Sequence, residues 1–232
     1  MSSTAILFYG IGKENVPLES QEELRILLTT KGYTKVILVD WEPWRDEQPL
    51  KKFATGLGVF GSALIKVPFV GKVVDVITDY ATDIPSVRKY IRSVEYKNLR
   101  DDLISRSGKE DGELVIMGHS LGTIVATQFA DALSRVETTP VQLILYSPPI
   151  GYKGFHSLFK PLLNSKIRTR ITLGTGDWLS KFIWFNDKKG LHPYNIVVDE
   201  LYANHDLTQH LMGEVKNSPP LGNLFKKIKE SL

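Results

Sequence analysis

Ser120 is the residue of this chain best placed by its neighbours to do chemistry. It stands in Gly118-His119-Ser120-Leu121-Gly122, after the apolar run Glu113-Leu114-Val115-Ile116-Met117 and before a segment, 121–133, whose apolar residues recur at helical spacing. A serine on a sharp turn from a buried strand into a helix is held with its hydroxyl at the sheet edge, ready to attack a carbonyl carbon. Glycines two residues before and after it suit strained backbone angles and a close passage of strand and helix. The helix that follows points its N-terminus at the serine, so its free N–H groups and dipole favour a developing oxyanion. A serine hydroxyl is a weak nucleophile by itself. It needs a base, normally a histidine oriented by a carboxylate.

The surrounding elements are those that would hold such a turn. Apolar strand-like runs cover 5–9, 35–40, 113–117, 141–146, 168–173 and 194–198. Helical patterns cover 21–31, 86–107, 121–133 and 221–230. The first is expected to start at a capping box of Ser20 with Glu23 and to end near Gly32, and the second has Pro85 near its start and Gly108 past its end. Continuous apolar strands alternating with helices predict an α/β fold, a mostly parallel sheet with helices on both faces. Ligands in such sheets bind at the carboxyl ends of the strands.

Composition narrows the class. With 232 residues, 42% of them apolar, the chain can bury one full core and is read as a single domain over 1–232. A net charge of +3 without aromatics among the basic residues argues against nucleic acid as a partner. The chain has no cysteine, which removes disulfides, thiolate catalysis and Cys-ligated metals. The strand-like 5–9 follows Met1-Ser2-Ser3-Thr4 with no basic or long apolar leader, so a cytoplasmic location is expected.

Tyr9-Gly10-Ile11-Gly12 after the first strand, the Gly-His-Ser-Leu-Gly turn, Tyr146-Ser147-Pro148-Pro149, Gly174-Thr175-Gly176-Asp177 and Asn204-His205-Asp206 together resemble the α/β-hydrolase superfamily, on its lipase and esterase side. The resemblance covers the chain apart from roughly 42 to 85. It implies the order Ser, acid, His along the chain. His205, directly after the last strand, then serves best as base, with His192 as its rival and His210 on a short helix. Asp177, at the end of a strand, serves best as the acid. Asp187 lies in a polar loop, and Asp199 stands only five residues before His205. In one branch of the superfamily the acid follows the strand after the serine, where this chain has Ser147-Pro148. The oxyanion donors implied are the backbone N–H groups of Leu121 and, carried over from a His-Gly-x-Gly stretch, of Ile11. Tyr9 replaces the histidine usual in that stretch.

Between Asp40 and Ser86 the alternating pattern lapses. Phe53, Leu57, Phe60 and Leu64 fall on one helical face, and Lys66, Pro68, Lys72 and Asp75 interrupt the segment too early for a membrane span. Residues 42–85 are read as a helical cap or lid over an apolar acyl pocket, an ordinary helical hairpin completing the core being the plainer alternative. A rim of Lys51, Lys52, Lys66 and Lys72 suits peripheral contact with a membrane surface. Trp41, Trp44, Trp178 and Trp184 are expected to border the same cleft.

The expectation is an enzyme, a lipase-like hydrolase of carboxylic esters that uses Ser120, Asp177 and His205 and needs no metal or cofactor. The same residues would also serve a thioester, an amide or acyl transfer. Outside catalysis, a binding module retaining the fold is the alternative.

Overall fold

The computed structural model describes residues 2–10, 18–39, 41, 84–107, 112–137, 141–149, 160–176, 196–201, 203 and 207–216. Its strands are β1 (Ser2–Phe8), β2 (Lys35–Val39), β3 (Gly112–His119), β4 (Val141–Tyr146), β5 (Ile167–Gly174) and β6 (Ile196–Leu201). They form one sheet in the order β2-β1-β3-β4-β5-β6, with every neighbouring pair parallel. All of the expected strands are present, their ends displaced by a few residues.

Successive side chains of a strand point to opposite faces, and here both faces are apolar. Ile6, Phe8, Ile116, Leu143, Leu145 and Ile171 share one buried cluster, and Ala5, Leu7, Val115, Met117 and Tyr146 share the other. The first face is covered by α2 (residues 84–90), α3 (Val94–Ser107) and α4 (Gly122–Ser134). The second is covered by α1 (Leu18–Thr30) and α5 (Leu207–Lys216), which also touch each other. The result is a three-layer α/β arrangement. Phe129 of α4 anchors it against Phe8, with ring centroids 5.5 Å apart and both rings fully buried. Truncating such a ring costs about 3–5 kcal/mol.

Two helices depart from expectation. The single helix expected over 86–107 is two, because the chain turns through Ile91-Arg92-Ser93 and restarts as α3. Ser93 Oγ accepts the Tyr96 N–H at 3.1 Å, a cap that competes with continuation of the helix. Glu95 stands in that first turn, and its own backbone N–H together with Ser93 holds its carboxyl below the usual range. α1 begins at Leu18, so Ser20 lies inside the helix and the Ser20–Glu23 capping box does not start it. Its end is as expected. Gly32 takes φ +100° and donates its N–H to Thr29 O at 2.9 Å.

Pro85 falls in α2. The rest of the expected lid, 42–83, and the helix expected over 221–230 lie outside the described residues. Among the described residues no helix is long and apolar enough to cross a membrane.

Candidate active site

From β1 the chain passes to β2 on one side, and β3 then pairs on the other side of β1. The carboxyl ends of β1 and β3 therefore flank the point where the winding reverses, the usual ligand position in an open α/β sheet. The register aligns Phe8 with Gly118, which brings Tyr9-Gly10 beside His119-Ser120.

Ser120 adopts φ +51°, a left-handed conformation that costs a residue with a Cβ about 1–2 kcal/mol. Its main chain is tied on both sides. The Ser120 N–H donates to Tyr146 O at 3.0 Å. The Ser120 carbonyl accepts from the Thr123 N–H at 3.1 Å and from Thr123 Oγ1 at 2.6 Å. α4 leaves directly from this turn, and the Leu121 N–H makes no hydrogen bond among the described residues.

The glycines around the turn have different neighbours. A Cβ on Gly118 would lie 2.7 Å from Thr123 Cα and 2.9 Å from Ala126 Cβ, so strand and helix do pass too close for a side chain. A Cβ on Gly122 would instead overlap the Phe8 and Tyr9 carbonyl oxygens, so this glycine packs α4 on the end of β1 rather than on its own strand. At the end of β1, a Cβ on Gly10 would stand 2.6 Å from Ser120 Cβ and 3.3 Å from His119 Nδ1.

The loop after β1 is held by a contact that sequence reasoning missed. Trp41 Nε1 donates to Tyr9 O at 2.9 Å, and its ring lies 5.8 Å from that of Tyr90. Trp41 is thus a buried core residue that holds the main chain at the end of β1. Trp44, Trp178 and Trp184 lie outside the described residues. The Tyr9 side chain enters the core beside Leu24, Leu28 and Leu207, where its hydroxyl has no hydrogen-bond partner among the described residues. Burial pushes that hydroxyl up to about 12, against the opposing charge of Arg25.

Ile11, Asp177 and His205 lie outside the described residues, as do His192 and Asp187. Their neighbours in the chain are described. Thr175 N–H donates to Leu201 O at 2.7 Å, and Gly176 N–H donates to Ala203 O at 2.9 Å. Gly176 immediately precedes Asp177, and Ala203 stands two residues before His205. The pairing of β5 with β6 thus continues up to the residues that lead into the expected acid and base. Asp199 is accounted for differently. It lies within β6, where its Oδ2 accepts from Arg170 Nε of β5 at 2.6 Å.

His210 is a helix-packing histidine, fully buried on α5. Its Nε2 lies 2.9 Å from Ser147 Oγ and its ring 5.6 Å from that of Tyr146. Ser147 is itself left-handed, with φ +45°, and donates its N–H to Thr172 O at 2.9 Å. No signal in the sequence announces this pair. A residue before proline is expected to be extended, and a bond across 63 residues leaves no local pattern.

Among the described residues no group of three or more His, Asp or Glu side chains is placed to hold a metal ion. Comparison with known proteins finds no matching family model and no matching curated protein.

Proposed function

We propose that this chain is a serine hydrolase of α/β-hydrolase type that cleaves carboxylic esters of acyl or lipid-like substrates. The observation that carries the reading is the strained Ser120, held at φ +51° between β3 and α4 at the reversal point of the sheet. A backbone outlier of that kind persists only where its surroundings over-determine it, and such outliers cluster at active sites.

In this mechanism Ser120 Oγ attacks the ester carbonyl carbon while His205 accepts the hydroxyl proton. The N–H groups of Leu121 and Ile11 hold the oxyanion as the C–O bond to the alcohol breaks, and His205 returns the proton to the leaving alcohol. Water then repeats the sequence on the acyl-enzyme and frees the acid. Asp177 fixes the tautomer of His205 and stabilises its cation. Residues 42–85 supply the apolar acyl pocket and the contact with a membrane surface. A thioester or amide would pass through the same tetrahedral intermediate.

A fluorophosphonate probe tests the reading directly. Labelling of the wild-type protein that disappears in Ser120→Ala is the expected result, and labelling that persists in that variant rejects it. A p-nitrophenyl ester series with and without vesicles then ranks acyl-chain length and interfacial preference.

A further inference from the structure

The described residues hold a serine and a histidine in direct contact that the proposed triad does not use. Ser147 Oγ and His210 Nε2 are 2.9 Å apart, and both residues are fully buried. No substrate reaches a hydroxyl with that burial, so this serine is not a second nucleophile. What the pair does is join two elements. Ser147 forms the turn after β4, and His210 belongs to α5.

Both elements lead to the proposed chemistry. Tyr146, the residue before Ser147, gives its carbonyl to the Ser120 N–H at 3.0 Å, while its ring packs on His210 at 5.6 Å. α5 begins at Leu207, two residues after His205 in the chain, and its first residue is buried against the sheet. Ser147 holds φ +45° despite its Cβ, a conformation costing about 1–2 kcal/mol that needs fastening from outside. The Ser147 N–H bond to Thr172 O supplies one fastening and His210 the other.

We propose that Ser147 and His210 are a positioning pair. Their hydrogen bond fixes the turn that presents the Tyr146 carbonyl to Ser120, and it fixes the docking of α5, from which the chain leads back to His205. A misplacement of about 1 Å between a nucleophile and its base costs about 100-fold in rate. The inference rests on the serine-hydrolase reading of Ser120.

Three variants of the full chain test it. Ser147→Gly removes the hydroxyl and favours the left-handed backbone. His210→Leu removes the ring nitrogens, whereas His210→Gln keeps a hydrogen-bonding atom near the place of Nε2. Ser147→Gly and His210→Leu are expected to slow fluorophosphonate labelling of Ser120 by about 10–100-fold. The kcat for p-nitrophenyl butyrate should fall in proportion while KM holds, and His210→Gln should recover most of the loss. Circular dichroism and Tm confirm that each variant is folded at the assay temperature. Wild-type protein that takes no label at Ser120 overturns the hydrolase reading, and this inference with it. Labelled wild type alongside Ser147→Gly of unchanged labelling rate and kcat, whatever its Tm, overturns the positioning pair alone.

Discussion

A side chain at Gly10 has no room, because its Cβ would stand 2.6 Å from the Cβ of Ser120. The contact follows from the in-register parallel pairing of β1 with β3, which ends both strands side by side. Only main chain fits between Gly10 and the serine. In the proposed mechanism, that close approach lets a backbone N–H reach an oxyanion formed at Ser120.

The glycines of this region should therefore rank by what a methyl group would meet. Gly122→Ala drives a Cβ into the Phe8 and Tyr9 main chain, which cannot swing aside, and is expected to cost about 3 kcal/mol or more. Gly32→Ala meets nothing within 4 Å and suffers only from its φ of +100°, a cost of about 1–2 kcal/mol. Gly10→Ala is expected to leave the protein folded but to slow labelling of Ser120 at least about tenfold, as the loop shifts to clear the serine. Urea denaturation gives the order, and a Gly32 variant less stable than the Gly122 variant would refute it.

Strain at Ser120 has a thermodynamic signature. Ser120→Gly should abolish labelling and at the same time stabilise the protein by about 1 kcal/mol, because glycine takes a positive φ without penalty. Ser120→Ala should abolish labelling without that gain. Thermal unfolding of the two variants side by side reads the difference, and equal Tm values would mean that the turn stores no strain.

Tyr9 gives the protein an alkaline limit. Its hydroxyl ionises near 10 when unfolded and is pushed up to about 12 in the folded core. Between those values the unfolded chain has lost the proton and the folded one keeps it, so unfolding gains and stability falls as pH rises. Below pH 10 the contribution is constant. Tyr96, also raised by burial, adds to the decline from the same pH upward. Tyr9→Phe should be near neutral at pH 8, since the hydroxyl it removes has no partner among the described residues, and should flatten the stability curve above pH 10. Urea midpoints at pH 8 and at stepped higher values test this, and a variant whose decline matches the wild type fails it.

The two aspartates that compete for the acid role should separate cleanly. Asp199 pairs with Arg170 across β5 and β6 in a half-exposed position, so Asp199→Asn should cost less than about 1 kcal/mol and leave labelling unchanged. Asp177→Asn should slow ester turnover by about 10⁴-fold through the wrong histidine tautomer. The reverse result would move the acid to β6.

Much of this was legible in the chain. Six apolar runs bounded by turn residues announce buried parallel strands, since a strand covered on both faces must be apolar throughout. The glycine spacing around Ser120 announces a strand-to-helix turn because few other residues tolerate that crowding. Less legible were the boundaries set by one side chain acting on one backbone group, as where Ser93 caps α3 and divides an otherwise continuous helical pattern.

Local pattern alone determined that a serine stands on a tight strand-to-helix turn and that a parallel sheet carries it. Which groups meet that turn was decided by tertiary structure. Gly10 against Ser120, Trp41 against the Tyr9 carbonyl, Gly122 against β1 and Ser147 against His210 all join residues far apart in the chain. Periodicity records only which face of an element is apolar. The strand order and register that bring distant residues within bonding distance follow from how all the layers pack at once, and no single segment encodes that.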